Sequence, residues 1–168
     1  YKQAGLSVIS LAVSDVDRAA PRGTGRYKVG ANYAGGLLAT KMAQEIGANE
    51  DLYLDFKEAR YIDEAGSANI LVVTKDGVLL TPKSDAILPS ITRRSIMTLA
   101  AEQLGMSTQE RPIDLRAEFS AFQEAAACGT AAVLSPIGKI WFDGQWHELG
   151  GAGSNVGPTM QKVYDLLV

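Results

Sequence analysis

Lys28 stands between Gly25 and Gly30 in the stretch Tyr27-Lys28-Val29-Gly30-Ala31-Asn32-Tyr33-Ala34-Gly35. A lysine at the mouth of a glycine-bearing turn, partly desolvated, can be a nucleophilic amine rather than a solvated cation. Such an amine can form a Schiff base with a carbonyl compound. The flanking glycines let a ligand approach the backbone closely. Glu64 lies in Tyr61-Ile62-Asp63-Glu64-Ala65-Gly66-Ser67-Ala68-Asn69, at a strand end before a tight Ala-Gly-Ser turn. A carboxylate placed there can face a cleft, where it would stabilise a protonated heterocyclic nitrogen. Ser90-Ile91-Thr92 opens a helix. Free N–H groups at that end, together with the Thr92 hydroxyl, suit a phosphate. Gly129-Thr130-Ala131 precedes a strand and offers amides and a hydroxyl for a second anion contact, to phosphate or carboxylate.

Each feature also has an ordinary use. A loop lysine usually keeps its head in water. A strand-end acid is commonly solvated, Ser90 or Thr92 can simply cap the helix, and many strands begin Gly-Thr. Gly23-Thr24-Gly25 lacks the third glycine of the dinucleotide fingerprint, because position 28 is lysine, and neither it nor residues 150–157 fit the Walker pattern. His147, beside Trp146, reads as a packing or solvated side chain and Cys128 as a small filler. Arg93-Arg94 reads as a solvent-facing pair, one of which could help hold an anion.

The elements that must position these residues follow from periodicity and punctuation. Residues 5–13 predict a strand, 14–31 a polar, turn-rich loop of the kind that carries function, and 32–46 a helix. Leu38, Met42 and Ile46 fall on one face of that helix, and Gly47 stops it. Leu52–Leu54 and Arg60–Ile62 predict strands around a short turn. Asn69–Val73 and Val78–Leu80 flank Asp76-Gly77, a two-residue hairpin signal. A helix is predicted over 90–104, with Ile96, Leu99, Ala100 and Leu104 on one face, and a shorter one over 114–125. Thr130–Ser135 and Lys139–Phe142 predict strands, the second turning at Asp143-Gly144 into Gln145–Leu149. A Gly-rich segment at 150–157 leads to a closing helix from Pro158, with Met160, Val163, Tyr164 and Leu167 at helical spacing. Hairpins interspersed with helices predict an α+β fold with a curved or barrel-like mixed sheet and packed helices.

The chain has 168 residues, 46% apolar and 21% charged, with a net charge of -3. These values fit one domain with a sizeable core. They give no support to a nucleic-acid or anionic-membrane partner. One cysteine excludes an intrachain disulfide, and one Cys with one His cannot make a Cys/His zinc site; no metal is expected. The start lacks the features of a signal peptide, and a reducing cytoplasm is the expected compartment. The missing initiator Met, with strand-like Leu6–Leu11 following almost at once, reads as a single domain, residues 1–168, excised from a longer protein.

In order, the Lys28–Tyr33, Glu64–Asn69, Leu88-Pro89-Ser90-Ile91-Thr92-Arg93 and Gly129–Ala131 motifs resemble the branched-chain amino acid aminotransferases. These are fold-type IV pyridoxal-phosphate enzymes. The resemblance covers nearly the whole chain and corresponds to the family's large C-terminal domain. It implies pyridoxal 5'-phosphate as cofactor and transamination of leucine, isoleucine and valine with 2-oxoglutarate. Lys28 would form the internal aldimine and shuttle the proton between the substrate α-carbon and the cofactor. Tyr33 would hydrogen-bond the cofactor's phenolic oxygen, and Glu64 would pair with its ring nitrogen. Leu88 would also contact the cofactor, while Ile91, Thr92 and Thr130 would contact its phosphate. The Thr130 and Ala131 amides would help bind the substrate carboxylate. A homodimer with the site near its interface is also implied.

The chain departs from the family pattern at several places. Ser90 stands where the family has Gly, Ala31 and Ala126 where it has Gly and Phe, and Ala132 and Ser135 where mammalian members have a Cys-x-x-Cys pair. The family's small N-terminal domain supplies an arginine to the phosphate and aromatic walls for the substrate. Without it the resemblance implies weak cofactor binding and little turnover. The alternatives are a D-amino-acid aminotransferase or aminodeoxychorismate lyase relative, or a catalytically silent module binding a phosphorylated ligand or partner subunit.

Overall fold

The computed structural model describes residues 6–131, 133–149 and 156–168. Its strands are β1 (Ile9–Val13), β2 (Glu50–Leu54), β3 (Ile62–Ala65), β4 (Ala68–Thr74), β5 (Leu79–Pro82), β6 (Thr108–Arg111), β7 (Phe122–Gly129), β8 (Val133–Phe142) and β9 (Gln145–Glu148). Its helices are α1 (Gly30–Ile46), α2 (Ile91–Leu104), α3 (Leu115–Glu118) and α4 (Pro158–Asp165). The sheet runs β3-β2-β1-β8-β7-β4, and β4 pairs back onto β3, so six strands close into a ring. Parallel pairs flank β1, whereas β7 is antiparallel to both neighbours. The predicted barrel-like mixed sheet is therefore present. β5 and β6 extend it beyond β4, and β9 folds back on β8.

Alternation along β4 and β7 divides the core into two layers. Ile70, Val72, Ala125 and Ala127 face a cluster inside the ring with Leu11, Leu52 and Ile137. Leu71, Val73, Ala126 and Cys128 face outward, onto Ile96 and Ala100 of α2 and Met160 and Val163 of α4. Strands buried on both faces carry unbroken apolar runs, which is why Ile70-Leu71-Val72-Val73 shows no alternation. Each large side chain so buried contributes about 1.5–3 kcal/mol.

Several predicted elements differ. The helix expected over 114–125 is one α-turn capped by Asp114, whose carboxylate accepts from Ala117 N at 3.0 Å. A 3-10 turn over Phe119–Ala121 follows, and the chain then enters β7. Phe122-Gln123-Glu124-Ala125-Ala126-Ala127 has helical propensity, but two-sided pairing with β4 and β8 overrides it. The strand expected over 130–135 begins only at Val133, after a turn at Thr130-Ala131. β1 begins at Ile9 rather than at residue 5. β6, polar throughout, has no strand signal in its sequence. Position 5, Ala132 and most of the Gly-rich segment lie outside the described residues.

The helix after Lys28 turns a different face inward from the one expected. α1 buries Asn32, Gly36, Ala39 and Ala43, and leaves Leu38, Met42 and Ile46 exposed. Small residues let it lie close on the sheet. A Cβ on Gly36 would sit 2.7 Å from the Tyr53 hydroxyl.

Candidate active site

The Lys28 turn is built by Asn32. This buried amide donates from Nδ2 to the Thr24 and Tyr27 carbonyls at 2.8 and 2.9 Å, and its Oδ1 accepts from Thr24 Oγ1 at 2.8 Å. All its polar capacity goes into shaping the loop that presents Lys28. The Lys28 Nζ donates to Tyr33 Oη at 2.8 Å and lies 5.3 Å from that ring's centroid. Lys28 lies two residues before α1 and Tyr33 in its first turn, so the two meet at the start of the helix. Lys28 is exposed, not partly desolvated as expected, because its loop runs over the surface.

Glu64, at the end of β3, is almost wholly buried. Its Oε1 accepts from Asn69 Nδ2 at 2.6 Å and Leu88 N at 2.8 Å, and its Oε2 pairs with Arg18 at 2.9 Å. Burial pushes its carboxyl up to about 7, with Arg18 pulling against the rise. Burial likewise pushes adjacent Asp63 up to about 6.

A cavity of about 510 Å³ gathers these pieces. Lys28, Glu64, Leu88, Ser90, Thr130 and Ala131 all line it, with Asn69, Cys128 and Gly129. A Cβ added to Gly129 would meet nothing within 4 Å, so the turn keeps open space beside its backbone. Val133, just beyond, holds φ at 58°, an uncommon value for a β-branched residue. The Cys128 thiol is pushed up to about 12 by burial, which makes it inert at neutral pH.

Three predicted residues stand apart from the cavity wall. Tyr33 reaches it only through Lys28. Ile91 and Thr92 open α2 directly after Ser90 but are not among the lining residues. Ser90 lines the cavity and also caps α2, its Oγ accepting from Arg93 N at 3.2 Å. Arg93 is not solvent-facing. It is buried, donating to the Pro82 carbonyl at 3.0 Å and pairing with Glu110 at 3.1 Å, while Arg94 is exposed. β6, which carries Glu110, is what covers Arg93. His147 stacks on Phe142 with centroids 3.7 Å apart, a packing role.

Sequence reasoning missed two charged residues here. Arg18 has no motif around it. Glu50 lines the cavity, its carboxyl raised by burial and by Asp51. Its adjacency to the strand Leu52–Leu54 is the one signal that could have placed it.

The raised carboxyls have a measurable consequence. The folded chain holds protons on Glu64 and Asp63 that the unfolded chain releases between about pH 4 and 7. Stability of the ligand-free protein should therefore fall as pH rises through that window, by on the order of 6 kcal/mol for the two groups together, and level off above it. Carboxyls lowered by hydrogen bonds, such as Glu118 and Asp114, act in the opposite sense, adding stability as pH rises from the acid end. Urea unfolding at pH 5 and pH 8 measures the fall. Glu64→Gln should shrink it, and a rise in stability over that interval would contradict the burial argument.

A ring of six strands thus frames a cavity in which a lysine loop and a buried carboxylate meet. A family model described as Amino-transferase class IV matches residues 1–140. The chain belongs to that family. Within it, the chain is 43% identical over 172 residues to a branched-chain-amino-acid aminotransferase of Haemophilus influenzae, covering 99% of this chain and 50% of the relative. A crystal structure of the Escherichia coli branched-chain amino acid aminotransferase superposes with a TM-score of 0.84 at 31% identity, over 99% of this chain and 52% of that one. The Thermobaculum terrenum branched-chain enzyme, solved in its PLP-form, superposes with a TM-score of 0.82 at 31% identity, over 95% and 49%. The chain thus spans about half the length of the curated relatives it matches. Among the described residues, no helix is long and apolar enough to cross a membrane.

Proposed function

We propose that this chain is the cofactor-binding domain of a pyridoxal-phosphate-dependent branched-chain aminotransferase. It would move an amino group between leucine, isoleucine or valine and 2-oxoglutarate. The observation that carries this reading is the convergence of Lys28, Glu64 and the Gly129–Ala131 turn on one cavity. Its volume falls within the range of small-molecule sites. Its donor set suits the cofactor: an amine for an aldehyde, a buried carboxylate for a ring nitrogen, and a turn and helix start for anionic groups.

Pyridoxal phosphate supplies an electron-withdrawing ring that stabilises negative charge at the substrate α-carbon. The chain supplies the rest. Lys28 Nζ is the amine that would hold the cofactor's aldehyde carbon, and the same amine would move the proton at the substrate α-carbon. Tyr33 Oη, in contact with that amine, orients it and would hydrogen-bond the phenolic oxygen. Glu64 would hold the ring nitrogen, and Leu88 fixes Glu64 through its N–H. Ser90, Ile91 and Thr92 start α2 at the phosphate end, where backbone N–H groups favour an anion. Thr130 would contact the phosphate, and the Thr130 and Ala131 amides would hold the substrate carboxylate.

The apolar stripe of α1, Tyr33, Leu37, Leu38, Met42 and Ile46, is exposed. It supports the reading that a further domain or a second subunit covers this side, as a homodimer. A cytoplasmic setting fits the single buried thiol.

The test is a half-reaction. Leucine, isoleucine and valine should each convert the visible band of the cofactor-loaded protein to the near-ultraviolet band of the amine form, and 2-oxoglutarate should restore it. Conversion by D-alanine but not by leucine would instead place the chain among the D-amino-acid relatives. Bound cofactor that no amino acid converts would mark a silent binding module.

A further inference from the structure

Arg18 belongs to none of the four motifs, yet its guanidinium joins the segments that carry them. It sits in the loop between β1 and α1 with its side chain only 10% exposed. Nη2 pairs with Glu64 Oε2 at 2.9 Å, donates to the Gly25 carbonyl at 3.2 Å and donates to the Ala86 carbonyl. Gly25 is on the loop that ends in Lys28, Glu64 ends β3, and Ala86 leads to Leu88 and Ser90. The junction is tight. A Cβ on Gly25 would lie 2.7 Å from Ala20 O and 2.9 Å from Ala86 Cα.

The acceptor count of Glu64 gives this junction a chemical meaning. An ionised carboxylate has about four acceptor sites. Asn69 and Leu88 take two on Oε1, and Arg18 takes one on Oε2. One site on Oε2 is left, on a side chain that lines the cavity. It accepts a ring N–H only while Glu64 is ionised. Asp63 lies next in sequence, buried, with an Oδ1 that has no hydrogen-bond partner among the described residues. Burial and, to a lesser degree, the neighbouring Asp63 oppose charge on Glu64, and a nearby cation offsets them. Arg18 is the cation in contact with Glu64, and a guanidinium keeps its charge.

We propose that Arg18 is the positioning residue of this site, favouring the ionised form of Glu64 toward the ring nitrogen while tying the Lys28 loop to the Leu88–Ser90 segment. This rests on the pyridoxal-phosphate reading of the cavity. A purely structural staple would affect any ligand of the cavity alike, whereas a charge-holding residue acts on the ring nitrogen alone.

The test compares binding of pyridoxal phosphate with its 1-deaza analogue, which has carbon in place of the ring nitrogen. The parent protein should prefer pyridoxal phosphate by about tenfold or more, the worth of one charge-assisted hydrogen bond. Arg18→Met should erase that preference, and Arg18→Lys should keep part of it. In a Glu64→Gln background, Arg18→Met should change it no further. In the ligand-free protein, carbon-13 NMR of labelled glutamate should show the Glu64 titration midpoint rising in Arg18→Met. Arg18→Lys answers both questions if the methionine variant does not fold. A preference that survives loss of the guanidinium, an equal loss for both compounds, or an unmoved Glu64 midpoint would overturn the role of Arg18. A parent protein that never distinguishes the two compounds would instead overturn the cofactor reading, and the NMR arm would still decide what Arg18 does to Glu64.

Discussion

Replacing Lys28 with alanine is expected to lower amino transfer by roughly three orders of magnitude or more, the scale of a lost general base compounded by a lost nucleophile. Folding should hardly change. Lys28 is exposed, and its hydrogen bond goes to Tyr33, which is itself 40% exposed. Surface changes of that kind shift stability by about 0.5 kcal/mol or less. The two effects separate cleanly in initial rates and thermal unfolding. A stable Lys28→Ala variant that still transfers amino groups at the parent rate would remove Lys28 from the chemistry.

The second large effect concerns stability and lies outside the cavity. Glu124 is a charged residue amid alanines on β7, and it is buried. Its two carboxylate oxygens accept from Thr159 N at 3.0 Å and Met160 N at 2.8 Å, the first turn of α4. A negative group there satisfies two otherwise orphaned donors and meets the positive end of the helix dipole. Glu124→Ala should cost about 2–4 kcal/mol, because both N–H groups lose their partner in a buried setting. For a chain of this size that is a fall in melting temperature of roughly 5–12 °C. Gly157→Ala attacks the same cap from the other side, since its Cβ would fall 2.2 Å from Glu124 Cδ. The two changes share one contact, so the double variant should lose less than the sum. An unaltered melting temperature in Glu124→Ala would show that α4 is held by Met160 and Val163 alone.

The parts of this site written in adjacent residues are legible from sequence. Lys28 and Tyr33 flank the start of α1 five residues apart, and Glu64 reaches Asn69 across a two-residue turn. Thr130 and Ala131 form the turn directly after β7, in the same short motif that names them. Residues whose meaning comes from distant partners are not legible. Arg18 meets Ala86 across 68 positions, and Glu124 meets Met160 across 36. Neither has a neighbour that marks it. The same division runs through the fold. The Asp76-Gly77 hairpin and the α1 stop at Gly47, with φ at 85°, are local and present as expected. β6 is held by pairing to β5 rather than by its polar sequence. The inward face of α1 follows from closeness to the sheet at Gly36, which hydrophobic periodicity does not report.

The most direct measurement is to mix the protein with pyridoxal phosphate, reduce with borohydride, digest, and map the phosphopyridoxyl group by peptide mass spectrometry. The account predicts one dominant label, on Lys28. Label distributed over other exposed lysines, such as Lys41, Lys57 and Lys75, with the Lys28 peptide unmodified, would contradict it.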